Sequence, residues 1–179
     1  MSRIAIPTRD EAPAASQPLL DATAKQLGTI PNLHRVIGLS PKALEAYVGF
    51  EHALGRTLDV KTRERIALAT AQVNGCDYCL SAHTFLGANF TKLDAAEMAQ
   101  NRLGHSNDAR ADAALVFARK VVEARGQVSD ADLDTVRRAG FTDAQVIEIV
   151  ANVALNVLTN FVNNVAETDI DFPVVRAAA

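Results

Sequence analysis

The chain has 179 residues, 49% of them apolar, with a formal net charge of −3 and no tryptophan. That length suits one well-buried domain rather than two. An acidic balance without any Lys/Arg run argues against a nucleic-acid or anionic-membrane partner. Aromatics are scarce and Ala, Leu and Val dominate, a mixture that favours helices over sheets. No 18-residue apolar span stands out, and Met1-Ser2-Arg3-Ile4 is not followed by the apolar core of a signal peptide. A cytoplasmic protein is therefore expected. In that compartment two cysteines spaced Cys-x-x-Cys point to redox or metal chemistry rather than to a structural staple.

Residues 1 to 16, with Pro7 and Pro13 and no clear period, read as an N-terminal arm that could lie on a neighbouring subunit. Residues 17–179 read as one helical domain. Leu19 to Leu27 predicts a short helix stopped by Gly28, and Pro31 to Ile37 a second one before Gly38. Ser40-Pro41 is a helix start, a capping hydroxyl followed by proline at the first helical position, and Gly55 ends that helix. Asp59 caps the next, which runs to the stop signal Asn74-Gly75. A further helix restarts at Cys76 or Asp77 and is expected to reach about Asn89. Thr91 with Asp94 opens a short helix ending near Leu103-Gly104, and Ser106 opens a longer one reaching Gly126. Ser129 with Asp132, and Thr142 with Gln145, mark capping boxes for the last two helices. Asp171-Phe172-Pro173 cannot continue the final one. With no alternating strand pattern, the expected fold is all-α: a single-domain bundle of about eight helices.

The final helix carries Asn152, Asn156, Asn160, Asn163 and Asn164 at i, i+4, i+8, i+11 and i+12, flanked by valines and leucines on both sides. A helix apolar nearly all round is buried on most faces. In a small domain that predicts packing against another copy of the chain. The asparagines would line a subunit seam, a polar channel to the site, or a solvated amide face.

The chemistry concentrates in one stretch. Cys76 and Cys79, the only cysteines, fall with His83 within eight residues. At about 100° per residue, positions i, i+3 and i+7 share a sector of roughly 60°, so thiol, partner thiol and base point the same way. The helix dipole favours a thiolate at Cys76, whereas proximity to His83 favours Cys79. Lowering a thiol pKa from about 8.5 to about 6 raises its thiolate fraction at pH 7 roughly 30-fold. The accompanying fall in nucleophilicity returns about 13-fold of that. Acidity alone thus gains only about two-fold, while positioned proton transfer is worth roughly 10²–10⁴. That selects Cys79 as attacker and Cys76 as resolver. A carboxylate orienting His83 would complete the set. Glu64 on the preceding helix is a candidate, and spacing alone leaves Glu51 and Glu97 open as well.

Glu64, eleven residues, Cys76-x-Tyr78-Cys79, three residues and His83 together resemble the core motif of the alkylhydroperoxidase AhpD-like proteins, within the carboxymuconolactone decarboxylase superfamily. Arg65-Ile66-Ala67-Leu68-Ala69 and the closing Thr159-Asn160 to Asp171-Phe172-Pro173 resemble a peroxidase-related branch of it. The resemblance covers about Ile30 to Pro173. It implies an all-helical subunit, homo-oligomers (trimers, dimers or hexamers) and thiol-dependent reduction of a small-molecule hydroperoxide. It further implies Cys79 as peroxidatic thiol, Cys76 as resolving thiol, Glu64 and His83 as proton relay, and a dithiol reductant of lipoyl or thioredoxin type. The best-known pattern has histidine where this chain has Tyr78, which on a regular helix points away from the Cys79 face. No haem, flavin or nucleotide motif is visible, so no cofactor is expected.

Four rivals compete with that reading. Cys-x-x-Cys-x-x-x-His supplies three zinc ligands where a closed site wants four, and none of His34, His52 or His105 has telling spacing for the fourth. The thiols could serve general thiol–disulfide exchange, or sit inert in a redox-sensing helical oligomer. Lactone decarboxylation is the poorer inheritance, because the decarboxylase members lack the Cys-x-x-Cys pair. Outside the motif, His34 and His105 read as solvated, His52 as a candidate pocket residue, and Tyr47 and Phe50 as core.

Overall fold

The computed structural model describes residues 2–178; Met1 and Ala179, the outer limits of the arm and the domain, lie outside them. Nine α-helices and one π-helical turn form a single all-helical unit, and no strand occurs among the described residues. The helices are α1 (Gln17–Leu27), α2 (Asn32–Ile37), α3 (Pro41–Leu54), α4 (Val60–Val73) and α5 (Asp77–Leu86). After the π turn Gly87–Thr91 come α6 (Ala95–Arg102), α7 (Ala109–Glu123), α8 (Asp130–Arg138) and α9 (Asp143–Ala166).

α4 is the wall around which the others pack, touching α5, α6, α7 and α9. Its sequence explains the position. Ala67, Ala69 and Ala71 keep its girth small, so helices close in on several sides and leave seven of its residues buried. Ile66 and Leu68, about 200° apart around the axis, face two different cores. Leu68 joins Leu20, Leu44, Tyr47, Leu80 and the cysteines. Ile66 joins Phe117, Val136, Phe141, Ile149 and Val153.

Local signals set most helix ends. Ser40, Asp59, Ser129 and Thr142 cap α3, α4, α8 and α9, the last two through complete capping boxes. Two expected starts move. Asp94 alone caps α6, and Asp108 rather than Ser106 caps α7, accepting from Ala111 N at 2.8 Å. Ser106 stays outside the helix, its hydroxyl donating to Glu97 Oε1 at 2.5 Å while accepting from the Asp108 amide at 3.1 Å. The helix expected to reach Asn89 ends as an α-helix at Leu86 and widens into the π turn. There Gly87 lies so near Met98 that an added Cβ would meet its sulfur at 3.0 Å.

Both chain ends return to the body. In the arm, Pro7 O accepts from Arg35 Nε at 2.7 Å and Ser16 Oγ donates to Gly38 O at 2.7 Å, so this segment packs on its own subunit. The residues after α9 strap across α5: Asp77 takes Arg176 in an ion pair at 2.7 Å and accepts from Ala177 N, while Ser81 Oγ accepts from Val175 N.

At 24 residues, and contrary to the expectation of no such span, α9 is apolar and long enough by composition to cross a membrane. Its contacts are those of a core helix. Asn152, Asn156, Asn160 and Asn163 are buried inside this chain, and only Asn164 of the stripe is exposed. The stripe is therefore neither a solvated face nor a subunit seam. The opposite side of α9 leaves Ile147, Leu158, Phe161 and Val165 open.

Glu97 ties α6 to its surroundings: Arg65, Asn101, Ser106 and the Asn107 amide all donate to it. Burial alone would raise its carboxyl, but the Ser106, Asn101 and Asn107 donors and Arg65 outweigh that and hold it down to about 2. Its folded value lies below the usual 4.5. The stabilisation is therefore complete above about pH 4.5 and is lost as pH falls from there toward 2. Glu97→Ala strands a buried Arg65 and should cost ~3 kcal/mol, or a melting-point drop of roughly 6–12 °C. Thermal melts between pH 3 and 7 check it: the gap between parent and variant should narrow as pH falls.

Candidate active site

The site begins at a chain reversal. α4 ends at Asn74, Gly75 adopts φ +61°, and Cys76 N donates to Ala71 O at 2.9 Å. A left-handed backbone of this kind strains any residue with a side chain. α5 then runs back along α4. Cys76 is its N-cap, with Sγ accepting from Cys79 N at 3.3 Å. Sulfur stands where a capping oxygen normally would.

The reversal brings Glu64 beside His83: Nδ1 donates to Glu64 Oε2 at 2.9 Å. That leaves Nε2 for the cavity of about 140 Å³ that Cys79, His83, Glu64 and Tyr47 line together. Cys79 and His83 open on the same space without bonding to each other directly. All four residues expected from the sequence are brought together; of the other carboxylates, Glu51 reaches the mouth of the cavity while Glu97 belongs to the α6 knot. Arg63 also lines the cavity, with Nη1 held on Leu54 O.

The two thiols are free and electrostatically unlike. Burial opposes charge on Cys79, yet the Cys76 thiol, the Asn163 amide, His83 and Asn160 together bring it below the ordinary cysteine range. Cys76 is 0% exposed, and the neighbouring Cys79 sulfur together with burial pushes its thiol far up. For His83, burial pulls down but the Glu64 carboxylate, with Cys79 and Glu51 behind it, lifts it above its usual value.

α9 supplies the residues that sequence reasoning placed only loosely. Asn163 Nδ2 donates to Cys79 Sγ at 3.3 Å. Asn152 and Asn156 line the cavity, their own Nδ2 atoms bound to carbonyls one turn back at 2.8 and 2.9 Å. The periodic stripe was the signal, and it marks the face toward the site. Tyr78 sits between Leu33 N, which donates to its hydroxyl at 3.1 Å, and Asp171, which accepts from it at 2.8 Å, with Phe172 edge-on to its ring.

Two expectations change, and Tyr47, core as expected, has a second part. His34 is buried edge-on to Tyr47, and burial lowers it to about 4, so it is not a solvated histidine. His52 stands outside the cavity, 3.0 Å from Arg56. Tyr47 is core and cavity wall at once. His105 is exposed against Asp112, and no metal-holding group of three His, Cys, Asp or Glu side chains occurs among the described residues.

Residues 41–124 match the Carboxymuconolactone decarboxylase family, a span that runs from α3 through α7 and holds Glu64, Cys76, Cys79 and His83. A solved alkylhydroperoxidase AhpD core, an uncharacterized peroxidase-related protein from Ralstonia eutropha JMP134, is 28% identical with a TM-score of 0.83, covering 95% of this chain and 92% of that one. An uncharacterized peroxidase-related protein from Silicibacter sp. TM1040 is 24% identical, with a TM-score of 0.78 over 94% and 91%. The debrominase Bmp8 shares the fold at 21% identity, with a TM-score of 0.79 over 94% and 92%. A cysteine-to-alanine form of Bmp8 has been solved in complex with 2,3,4-tribromopyrrole. An uncharacterized protein of Haemophilus influenzae is 53% identical over 45 residues, 24% of this chain and 40% of that protein, so the match spans less than half of that curated relative.

If Glu64 lifts His83, the pair's stabilisation is full below about pH 6.5 and is lost as pH rises through the raised folded value. A proton-NMR titration should give the parent His83 a pKa above the ordinary one, and Glu64→Gln should bring it down. An unchanged midpoint in Glu64→Gln contradicts the coupling.

Proposed function

We propose that this chain, whose residues 41–124 match the Carboxymuconolactone decarboxylase family and whose fold is that of a solved AhpD core, is a thiol-dependent peroxidase of small hydroperoxides. One observation carries the reading: Cys79 shares a cavity with His83, whose far nitrogen is held 2.9 Å from Glu64. The Cys79 thiolate attacks the terminal peroxide oxygen and the O–O bond breaks. His83 gives its proton to the departing alkoxide, and Glu64 holds the imidazole in register for the transfer. Cys79 becomes a sulfenic acid and the peroxide leaves as an alcohol. The Cys76 sulfur then attacks Cys79, forms the disulfide and releases water. A dithiol donor of lipoyl or thioredoxin type, itself oxidised to a disulfide, restores both thiols by exchange. The cytosol supplies such donors.

We further assign the open row Leu158, Phe161 and Val165 to contact with a second copy of the chain. Contiguous exposed apolar surface of this kind commonly marks such contacts. Light scattering behind size exclusion should give a mass above the 19.1 kDa of one chain.

The test is peroxide turnover with a panel of dithiol donors. Cys79→Ser should lose the first step, so that no sulfenic acid is trapped. Cys76→Ser should form sulfenic acid once and then stop, because no resolving thiol condenses with it. Sulfenic acid formed equally well in Cys79→Ser reverses the assignment. General disulfide exchange is favoured if protein disulfides turn over while peroxides do not. The fold shared with the debrominase supplies one more arm: bromide released from 2,3,4-tribromopyrrole by the reduced protein would replace the peroxide with a halogenated ring.

A further inference from the structure

The titratable groups facing Cys79 are Cys76, Tyr78 and His83 on α5, Glu64 and Arg63 on α4, and Tyr47 and Glu51 on α3. α9 brings none. It brings amides instead. Asn163, 3% exposed, directs Nδ2 at the Cys79 sulfur. Asn160, one turn earlier and 0% exposed, has its Oδ1 bound by Asn74 Nδ2 at 2.9 Å. That bond settles the orientation of the amide: Nδ2 faces away from Asn74 and stands near enough to Cys79 to favour its charge, while making no hydrogen bond of its own. Asn74 is held in turn where Asn164 Nδ2 donates to its carbonyl at 2.9 Å. A chain of amides thus runs from the surface of α9, through the α4–α5 reversal, to the reacting sulfur.

Leucine at 160 or 163 would fill the same space without a buried polar group, so two amides here are a cost unless something uses their donors. A thiol can satisfy a carbonyl oxygen, whereas a thiolate can only accept. The groups presented to Cys79 are N–H donors, which is what a charged sulfur needs. Amides suit the task because they carry no titratable proton: they hold negative charge without competing with His83 over the proton in transit. They also avoid the larger acidification a lysine would bring, which would lower nucleophilicity with it.

We propose that Asn160 and Asn163 form a two-amide cradle that holds Cys79 as thiolate before attack and holds the oxygen of its sulfenic acid afterwards. Asn74 is the positioning residue that aims Asn160. The second half rests on the peroxidase reading; the first needs only a nucleophilic Cys79. The unpartnered Asn160 donor is the place kept for the arriving oxygen.

The experiment uses full-length Cys76→Ser protein, in which Cys79 is the sole cysteine, and follows its alkylation by iodoacetamide from pH 5 to 10. Asn163→Leu should raise the apparent Cys79 pKa by about one unit, so that the thiolate fraction at pH 6 falls roughly 10-fold and the rate, after the gain in nucleophilicity, about 3-fold. At pH 10, where the sulfur is fully ionised, the rate should equal or exceed the parent's. Asn163→Asp, matched in size, should raise the pKa at least as far, and keeps the test alive if the leucine variant does not fold. Asn74→Ala should shift the profile the same way by a smaller amount. A rate lowered equally at every pH overturns the cradle, because lost packing or access acts that way; an unchanged profile overturns it too. Trapping of sulfenic acid by dimedone after one equivalent of hydrogen peroxide should show a shorter-lived species in Asn160→Ala, and an unaltered lifetime overturns the second half. Alkylation needs no peroxide, so a failed peroxidase assay leaves the thiolate half standing, and a failed cradle leaves the peroxidase reading standing.

Discussion

One left-handed residue, Gly75 at φ +61°, sends α5 back along α4, and the arrangement of the site follows from that return. It seats the Cys76 sulfur on the new helix end, turns the Cys79 face toward α9, and lays His83 against Glu64. The alanines of α4 make the return tight enough to work, since a bulkier wall would hold the imidazole away from the carboxylate. Fold and chemistry thus share one constraint. A substitution at position 75 would be felt in the His83–Glu64 pair as well as in stability.

A symmetrical-looking motif acquires unlike halves from its surroundings. Cys76 is closed in, is pushed far up by burial and the neighbouring sulfur, and caps a helix. Cys79 opens on a cavity among an imidazole and amides. An attacking thiol wants a low pKa with a proton donor at hand, and a resolving thiol wants to stay quiet until it is needed. Those are the environments the two sulfurs occupy.

Local chemistry was readable in the chain, and long-range competition was not. Ser40-Pro41, Asp59, Asn74-Gly75 and the capping boxes at Ser129 and Thr142 are decided within four residues, and they stand where the sequence puts them. Ser106 lies two residues short of the cap, drawn to Glu97 on a different helix, and Asp108 accepts from Ala111 N in its place. Glu64 could not be told from Glu51 or Glu97 by spacing, since the choice depends on how α3, α4 and α6 pack. The asparagine stripe was visible as a period, yet which neighbour it meets is a tertiary fact. His52 was misjudged for the same reason: an apolar pattern marks a helix but not the side of it that faces the cavity.

A helix end closed by sulfur has a further consequence. The capping atom of α5 is a thiol sulfur, so any chemistry that alters its bonding alters how well it accepts from Cys79 N, and with that the firmness of the first turn. That turn carries Asp77, the anchor of the C-terminal strap through Arg176 and Ala177. Linkage runs both ways. Whatever oxidation of the pair would do to the grip of the strap, the strap would do in return to the midpoint potential of the dithiol, so trimming the last residues would retune its electron affinity.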